Sequence, residues 1–393
     1  MKIKVFHGKN LQAVMRGMVI FMRASGILMP IASLPSPYGI GSFSKCAYDF
    51  IDQLKLAGQK YWQILPIGPT GYGDSPYQSF STFAGNPYFI DLGALVEEGL
   101  LTKEECEEWD YGDNPRYIDY EKIYLSRFII LRKAFNRSNI SLNKNFIQFK
   151  NDNISWLEDY SLYMSIKDYN DGLSWVYWEE DIKLRKNKAL DHYKIKLKDD
   201  IEFYNYIQFL FVSQWKKLKG YANDNEIKII GDIPIYVAFD SADTWSNPEL
   251  FQLDKAQNPI AVSGCPPDGF SEDGQLWGNP LYKWDIHKAT EFKWWIERIA
   301  YSFILYDFVR IDHFKGFDEY YSIPFGEDTA RNGQWVKGPG EDLFKAIKKQ
   351  LGEQNIIAED LGYITESVGV LLKKTGFPGM KVLEFGFNSW EDS

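Results

Sequence analysis

The chain has 393 residues, of which 45% are hydrophobic and 17% aromatic, and its formal net charge is −10. This length is typical of a large barrel or of two domains. The negative charge argues against nucleic acids and anionic membranes as partners, because both are polyanions, and it fits a neutral substrate. The many aromatic rings suit surfaces that stack on sugars, although many of them must belong to the core.

Residues 1–22 combine lysines with an apolar run that Arg16 interrupts, and no small-residue cleavage pattern follows cleanly. We interpret them as an extension outside the fold, with Met18 or Met22 as an alternative start. No run of about 18 apolar residues occurs, so we expect no transmembrane helix. The three cysteines lack CxxC spacing and no Cys/His cluster is present, which favours reduced thiols in a cytoplasmic protein without a catalytic transition metal.

Short apolar runs alternate with amphipathic ones, a pattern that predicts a parallel sheet with helical crossovers. Between the strand candidates lie helical patterns, the first of which spans 44–58 and stops at Gly58. Later helical patterns cover 292–306, 341–354 and 364–376. The strand candidates are 26–31, 61–67, 228–237, 307–314, 355–361 and 379–385. A (β/α)8 barrel needs eight strands, so about six candidates indicate either an open sheet or an incomplete barrel.

Two long segments break this alternation. Residues 92–225 are mostly helical in pattern, and we interpret them as an insertion into a barrel formed by 23–91 and 226–393. Residues 238–290 are rich in Pro, Gly, Asn and Asp. Because long loops in compact domains are usually functional, we expect this second segment to be a loop region at the active site.

Acidic residues follow three strand candidates, at the ends where barrel active sites lie: Asp232, Asp312, and Glu359 with Asp360. We expect Arg310 to lower the pKa of Asp312 and keep it ionised, and burial to raise the pKa of Glu359. Two carboxylates with different pKa values, one a nucleophile and the other an acid/base, are what a retaining glycosidic mechanism requires. A structural ion pair is the alternative interpretation of the Arg310 strand taken alone.

Two loops add groups that suit a neutral polyhydroxylated ligand. Residues 68–89 carry Gly, Pro, Ser, Tyr and Asn, and residues 264–282 carry Asp268, Trp277 and Asn279. The glycines of 68–73 suggest a phosphate loop only superficially, since no GK[ST] follows and the spacing is wrong for GxGxxG. The sugar interpretation is therefore favoured over the phosphate one.

Six segments, taken in order, resemble the amylomaltases, which are 4-α-glucanotransferases of α-glucan metabolism. The segments are RASGILMPIASLPSPYGIG, YWQILPIGPTGYGDSPYQSFSTFAGNPYFIDL, GDIPIYVAFDSADTW, PPDGFSEDGQLWGNPLY, VRIDHFKGF and AEDLG. The resemblance runs from about Arg23 to the last residue. It implies a (β/α)8 barrel that moves part of an α-1,4-glucan to the 4-hydroxyl of glucose or a malto-oligosaccharide, without a cofactor.

The resemblance also implies roles for individual residues. Asp312 would be the nucleophile and Glu359 the general acid/base, while Arg310 and His313 would contact the sugar at the cleavage point. Tyr72 would lie at a secondary glucan-binding surface. The residues implied to hold the glucan chain are Ser75, Tyr77, Asp232, Asp268, Trp277 and Asn279.

The chain departs from the family at two places. Gly269 stands where many members have a bulky residue, and nothing after Glu384 matches the His-Asp pair that supplies their third catalytic carboxylate. We therefore expect an N-terminal fragment, with about six of eight barrel strands and impaired activity, since stabilisation of developing charge would be lost. The alternatives are an α-amylase-like glucan hydrolase and a non-catalytic remnant.

Overall fold

The computed structural model describes residues 23–71, 73–114, 116–269, 271–362 and 365–387. The expected N-terminal extension, 1–22, and the predicted secondary-site residue Tyr72 lie outside the described residues. Within them, the strands are β1 (Gly26–Leu28), β2 (Tyr61–Gln63), β3 (Lys228–Ile233), β4 (Ala261–Cys265), β5 (Gln275–Pro280), β6 (Phe308–Ile311), β7 (Glu319–Pro324), β8 (Gln334–Lys337) and β9 (Ile356–Ala358).

The α-helices of the same residues follow the predicted helical patterns and add those of the insertion. In chain order they are α1 (Lys45–Leu56), α2 (Leu92–Glu97), α3 (Lys103–Glu107), α4 (Tyr120–Arg137), α5 (Lys144–Asp152), α6 (Ile154–Tyr169), α7 (Glu180–Lys183), α8 (Asn187–Lys196), α9 (Lys198–Asp224), α10 (Ala242–Ser246), α11 (Trp284–Ala289), α12 (Lys293–Leu305), α13 (Glu341–Leu351) and α14 (Glu366–Thr375). Those predicted at 44–58, 292–306, 341–354 and 364–376 are confirmed by α1, α12, α13 and α14.

The central sheet is parallel, in the order β1-β2-β3-β6-β9. Each strand therefore lies beside the previous strand of the same sheet, as right-handed crossover connections produce. The register places Gly231 beside Val309 and Asp232 beside Arg310. Gly231 is required because a Cβ there would lie 2.2 Å from the ring of Tyr306.

The strands are shorter than the apolar runs that predicted them. Proline lacks the N–H that a sheet ladder needs, and Pro30, Pro66 and Pro234 each follow a strand by one to three residues. The predicted run 307–314 ends early for a different reason, since His313 has φ of 50°. That left-handed conformation turns the chain immediately after Asp312.

The predicted sixth strand, 379–385, is wrong. Pro378 accepts a hydrogen bond of 2.9 Å from the N–H of Ala358, so the chain does enter the position next to β9. The N–H of Met380, however, donates to the Asp360 carboxylate at 2.6 Å rather than to a strand. Residues 383–387 then form a 3-10 helix. The described central sheet thus has five strands.

The segment predicted as an insertion contains α2 to α9 and packs on the central sheet. Its last helix, α9, contacts α1, α12 and β3. The indole of Trp215 on α9 donates to the carbonyl of Leu305 at 3.0 Å. The ring of Phe43 lies 5.2 Å from that of Phe211 and 5.3 Å from that of Trp215. One hydrophobic core therefore continues from the sheet into the helices.

Residues 238–290, expected to be a loop region, contain more regular structure than predicted: α10, β4, β5 and α11. Strands β4 and β5 join β7 and β8 in an antiparallel sheet of order β5-β4-β7-β8. Its strands are short and contain glycines and polar residues, so the alternation of apolar and polar residues that predicts a strand is not visible in the sequence. Among the helices of the described residues, none has both the length and the hydropathy needed to cross a bilayer.

Candidate active site

A charged network lies at the carboxyl ends of β3 and β6. The Nη1 of Arg310 donates to Asp232 at 2.7 Å from Oδ1 and 2.8 Å from Oδ2, and it lies 3.0 Å from Oδ1 of Asp312. The hydroxyl of Tyr77, from the loop after β2, donates to Oδ2 of Asp232 at 2.7 Å. The ion pair between Arg310 and Asp232 follows from the sheet register, because the two residues are paired on neighbouring strands and paired residues share a face. One loop and the ends of two strands therefore contribute to this charged network.

Burial governs the pKa values of this network. It raises the pKa of Asp232 above its usual range, and Arg310 and Tyr77 only partly oppose the effect. Burial likewise raises the pKa of Asp312 and exceeds the opposing effect of Arg310. The expectation that Arg310 brings the pKa of Asp312 below its ordinary value is therefore wrong. Burial lowers the pKa of Arg310, but Asp232 and Asp312 more than compensate, so the guanidinium stays charged.

Glu359 follows β9 and occupies the position next to Asp312. Ile311 pairs with Ala358 in the sheet, and the N–H of Glu359 donates to the carbonyl of Ile311 at 3.0 Å. The ladder thus continues one step beyond both strands, which sets the two acids side by side. Burial raises the pKa of Glu359, backbone hydrogen bonds partly oppose it, and the charge of Asp312 raises it further.

Two backbone N–H groups hold the carboxylate of Glu359. His313 donates to Oε2 and Leu361 donates to Oε1, each at 2.8 Å. The left-handed conformation of His313 brings its N–H to Glu359, one residue after Asp312. Such donors favour the ionised carboxylate. Burial therefore favours the protonated form of Glu359, whereas the two backbone N–H groups favour its ionised form.

The His313 side chain is half-buried beside these acids. Its Nε2 has no hydrogen-bond partner within the described residues. Burial lowers the pKa of His313 to about 4, so the imidazole is neutral near pH 7. The ring of Trp277 meets it edge-on, with centroids 4.8 Å apart. A neutral imidazole with a free nitrogen suits a hydrogen bond to a hydroxyl group.

An uncharged network of side-chain amides contacts the backbone of Trp277. The side-chain amides of Gln78 and Asn279 exchange two hydrogen bonds, at 3.1 and 3.2 Å, and Gln78 Nε2 also donates to the carbonyl of Trp277 at 3.3 Å. Asn279 is buried, and its Nδ2 donates to the carbonyl of Val237 at 2.9 Å. The amide of Asn279, predicted to hold glucan, thus bonds protein groups. Gln78 was missed because an amide within a loop has no distinctive spacing.

The remaining predicted residues lie on the two loops. Asp268 is exposed on the turn between β4 and β5, where it accepts a 2.8 Å hydrogen bond from the N–H of Ser271. Ser75 Oγ accepts a 3.3 Å bond from the N–H of Tyr77. Burial raises the pKa of Cys265 to about 11, with smaller effects from Asp268, Glu359 and Asp312. Cys265, at the end of β4, is therefore within electrostatic range of both Asp268 and the two acids.

Acids at the carboxyl ends of parallel strands, next to an arginine, a neutral histidine and a partly buried tryptophan, define the class of α/β enzymes that act on glycosidic bonds. No cluster of three or more His, Cys, Asp and Glu side chains that could hold a metal ion is found in the described parts of the chain.

Comparisons with known proteins narrow this class to a family. The family model described as 4-alpha-glucanotransferase matches residues 29–393. A 4-alpha-glucanotransferase of Clostridium butyricum is 55% identical over 360 residues, which are 91% of this chain and 74% of that protein. One of Thermus thermophilus is 46% identical over 370 residues, which are 93% of this chain and 73% of that protein.

A solved structure agrees with the sequence matches. The amylomaltase from Streptococcus agalactiae in complex with acarbose superposes with a TM-score of 0.91 at 45% identity, covering 94% of this chain and 75% of that one. The chain therefore belongs to the 4-α-glucanotransferase family, as the sequence resemblance implied, and its function is that of a glucan-transferring enzyme. Its fold is the α/β fold of amylomaltases. The chain spans about three quarters of the relatives' length.

Proposed function

We propose that the chain transfers a segment of an α-1,4-glucan to the 4-hydroxyl of glucose or a malto-oligosaccharide with retention of configuration. The observation that carries this is the registered placement of Asp312 and Glu359 at the ends of adjacent strands. Neighbouring strands lie about 4.8 Å apart, and retention requires carboxyl groups about 5–5.5 Å apart. Inversion needs a wider separation, to leave room for water.

The proposed reaction has two steps. Asp312 attacks the anomeric carbon while Glu359, protonated, gives its proton to the departing glycosidic oxygen. Glu359, now ionised and held by the N–H groups of His313 and Leu361, then takes the proton of the acceptor 4-hydroxyl. That hydroxyl oxygen attacks the anomeric carbon, and the bond to Asp312 breaks. Arg310 keeps Asp312 oriented throughout.

The other residues would bind substrate. Arg310 and His313 would contact the sugar at the cleavage point, and Trp277 would stack on a neighbouring ring. Asn279 would act by holding Gln78, since its own amide bonds protein groups. Ser75, Tyr77, Asp232 and Asp268 would shape the glucan path, and Tyr72 would lie at a secondary glucan surface. Acarbose, bound in the S. agalactiae structure, is a suitable probe.

We further propose that the five parallel strands are consecutive strands of a (β/α)8 barrel, because their spatial order follows the chain. The family's third carboxylate has no counterpart among the 393 residues, so we expect this chain assayed alone to be severely impaired. The free thiols of Cys46, Cys106 and Cys265 support a cytoplasmic location.

The test combines binding and turnover. Calorimetry should detect acarbose binding to the 393-residue chain, and maltotriose should yield at most a faint ladder of longer sugars with glucose, which Asp312→Asn and Glu359→Gln abolish. A strong ladder would overturn the expected impairment while supporting transfer. Shorter sugars alone would favour the hydrolase alternative. Absence of both binding and products would overturn the proposed function.

A further inference from the structure

The segment 377–380, FPGM, runs beside the catalytic end of β9. Its first residue, Phe377, packs its ring 6.1 Å from Phe314 and 5.4 Å from Phe344. Its second, Pro378, accepts the hydrogen bond from the N–H of Ala358. Both contacts involve buried core residues, so the start of the segment is fixed to the sheet.

Asp360, which directly follows Glu359, fixes the end of the segment. The Asp360 side chain is buried, and its Oδ1 accepts the N–H of Met380 at 2.6 Å. Gly379 passes so close to this carboxylate that an added Cβ would lie 2.3 Å from Oδ2. Only glycine permits that approach without displacement. The position of Met380 is therefore set by the residue next to the predicted acid/base.

The side chain of Met380 reaches the arginine of the charged network. Its Sδ accepts a hydrogen bond from Nε of Arg310 at 3.3 Å. On the same guanidinium, Nη1 has two hydrogens and faces three carboxylate oxygens: both from Asp232 and one from Asp312. Because the guanidinium is planar, fixing Nε fixes the direction of Nη1 as well.

We propose that Met380 is a positioning residue for the transfer reaction, acting through Arg310. Its thioether anchors Nε, so that Nη1 stays between Asp232 and Asp312 and the nucleophile keeps its orientation. Without that anchor, rotation about the Cδ–Nε bond can move Nη1 away from the two carboxylates, which leaves Asp312 without its partner. The inference rests on the proposed function, because it gives Asp312 a catalytic task.

The competing interpretation is that Met380 only fills space, as methionine often does. Two substitutions separate the interpretations. Met380→Leu keeps the apolar volume and removes the acceptor, whereas Met380→Gln replaces the sulfur by an amide oxygen that can accept from Nε. Met164→Leu, in α6 of the insertion, is the matched control because Met164 is buried away from the network.

The first measurement follows the Arg310 Nε–H signal by NMR of the 15N-arginine-labelled 393-residue chain, assigned with Arg310→Lys. We expect Met380→Leu to shift this signal and speed its exchange with water. Met380→Gln should retain slow exchange, and Met164→Leu should leave the signal unchanged. If Met380→Leu also leaves it unchanged, the anchor is refuted, whatever the variant does to stability.

The second measurement is acarbose binding by calorimetry on the same variants. We expect Met380→Leu to weaken binding on the order of tenfold and Met380→Gln to recover most of it. Equal binding by wild type and Met380→Leu would overturn the positioning role. Equal weakening in Met380→Leu and Met380→Gln, with parallel loss of thermal stability, would also overturn it in favour of packing. If the wild type neither binds acarbose nor forms products from maltotriose, the proposed function fails, while the NMR result still decides the Met380–Arg310 contact.

Discussion

Two sets of contacts form the candidate site, and they are built from different chemistry. The charged set holds the acids and their cation: Asp232, Arg310, Asp312 and Glu359. The neutral set joins the loop after β2 to strand β5: Gln78, Trp277 and Asn279. In the charged set, burial raises the pKa of all three acids, and Arg310, Tyr77 and backbone donors only partly oppose this shift. In the neutral set, amides satisfy one another. Removing one member should therefore be far more costly in the charged set.

Arg310→Ala should give the largest effect, because it leaves the buried Asp232 without its cation. Breaking a buried pair in this way costs about 3–5 kcal/mol of unfolding free energy. Urea unfolding at pH 7 measures the loss. Lys45→Ala is the control, since the Lys45–Asp49 pair is exposed and its loss should be undetectable. Equal stability of the two variants would show that the charged set is not under electrostatic strain.

A buried acid that supports the neutral set provides the second test. Asp243 accepts the N–H of Thr82, on the loop that carries Gln78, and burial raises its pKa to about 6 from 3.8. Between these two pH values, Asp243 is therefore protonated in the native protein but ionised in the unfolded chain. Its unfolding free energy should fall by about 3 kcal/mol as pH rises through that window, and Asp243→Asn should lack the decline.

Urea unfolding from pH 4 to pH 7 checks this, as the difference between wild type and Asp243→Asn. His287 supplies a control of opposite sign. Burial lowers its pKa to about 4 from 6.5, so its contribution to the unfolding free energy rises with pH between those values. The unfolding free energy should therefore decline more steeply with pH in His287→Leu than in the wild type. Identical pH slopes in wild type and Asp243→Asn would contradict the assignment.

Tyr77→Phe should give a smaller effect, and it tests the link between the two sets. Tyr77 belongs to the same loop as Gln78, yet its hydroxyl donates to Asp232 at 2.7 Å. Hydrogen bonds to charged groups contribute about 1.5–3 kcal/mol, so the unfolding free energy should fall by about 2 kcal/mol. Tyr117→Phe, at an exposed tyrosine, is the control. If the two variants have equal unfolding free energies, the hydrogen bond from Tyr77 to Asp232 does not stabilise the loop.

The charged set was predictable in outline from the sequence. An acid at the end of an apolar run marks a strand end, and strands of a parallel sheet bring such ends together. The sign of the Asp312 shift was not predictable, because it depends on how deeply neighbouring loops bury the carboxylate. The strand predicted at 379–385 was wrong for a similar reason. Its apolar pattern is typical of a strand, but the N–H of Met380 donates to Asp360 and is not available for a hydrogen bond to a neighbouring strand.

The neutral set was not predictable as a network. Its two amides are separated by 201 positions, and each alone resembles an ordinary loop residue. Asn279 was assigned to the ligand because the resemblance gives a position and not a hydrogen-bond partner. Gln78, which makes the complementary contacts, lies in the segment SPYQSFS that carried the resemblance, and it gave no chemical signal of its own.

Gln78→Ala should therefore produce the smallest effect on stability. Asn279 loses two bonds but keeps the carbonyl of Val237 and, at 3.5 Å, the hydroxyl of Ser263. A buried neutral hydrogen bond contributes about 1 kcal/mol net, but the three bonds of Gln78 are only partly buried and water can replace them, so urea unfolding should show a total loss of about 1 kcal/mol. Gln78→Glu is the matched variant: it keeps an acceptor for Asn279 Nδ2 and loses the donor to both Asn279 Oδ1 and the carbonyl of Trp277. If the neutral set orients Trp277 for a sugar ring, both variants should weaken acarbose binding by more than their small stability loss suggests. If both variants bind acarbose as the wild type does, the neutral set only stabilises the loop, and sugar recognition depends on the charged set.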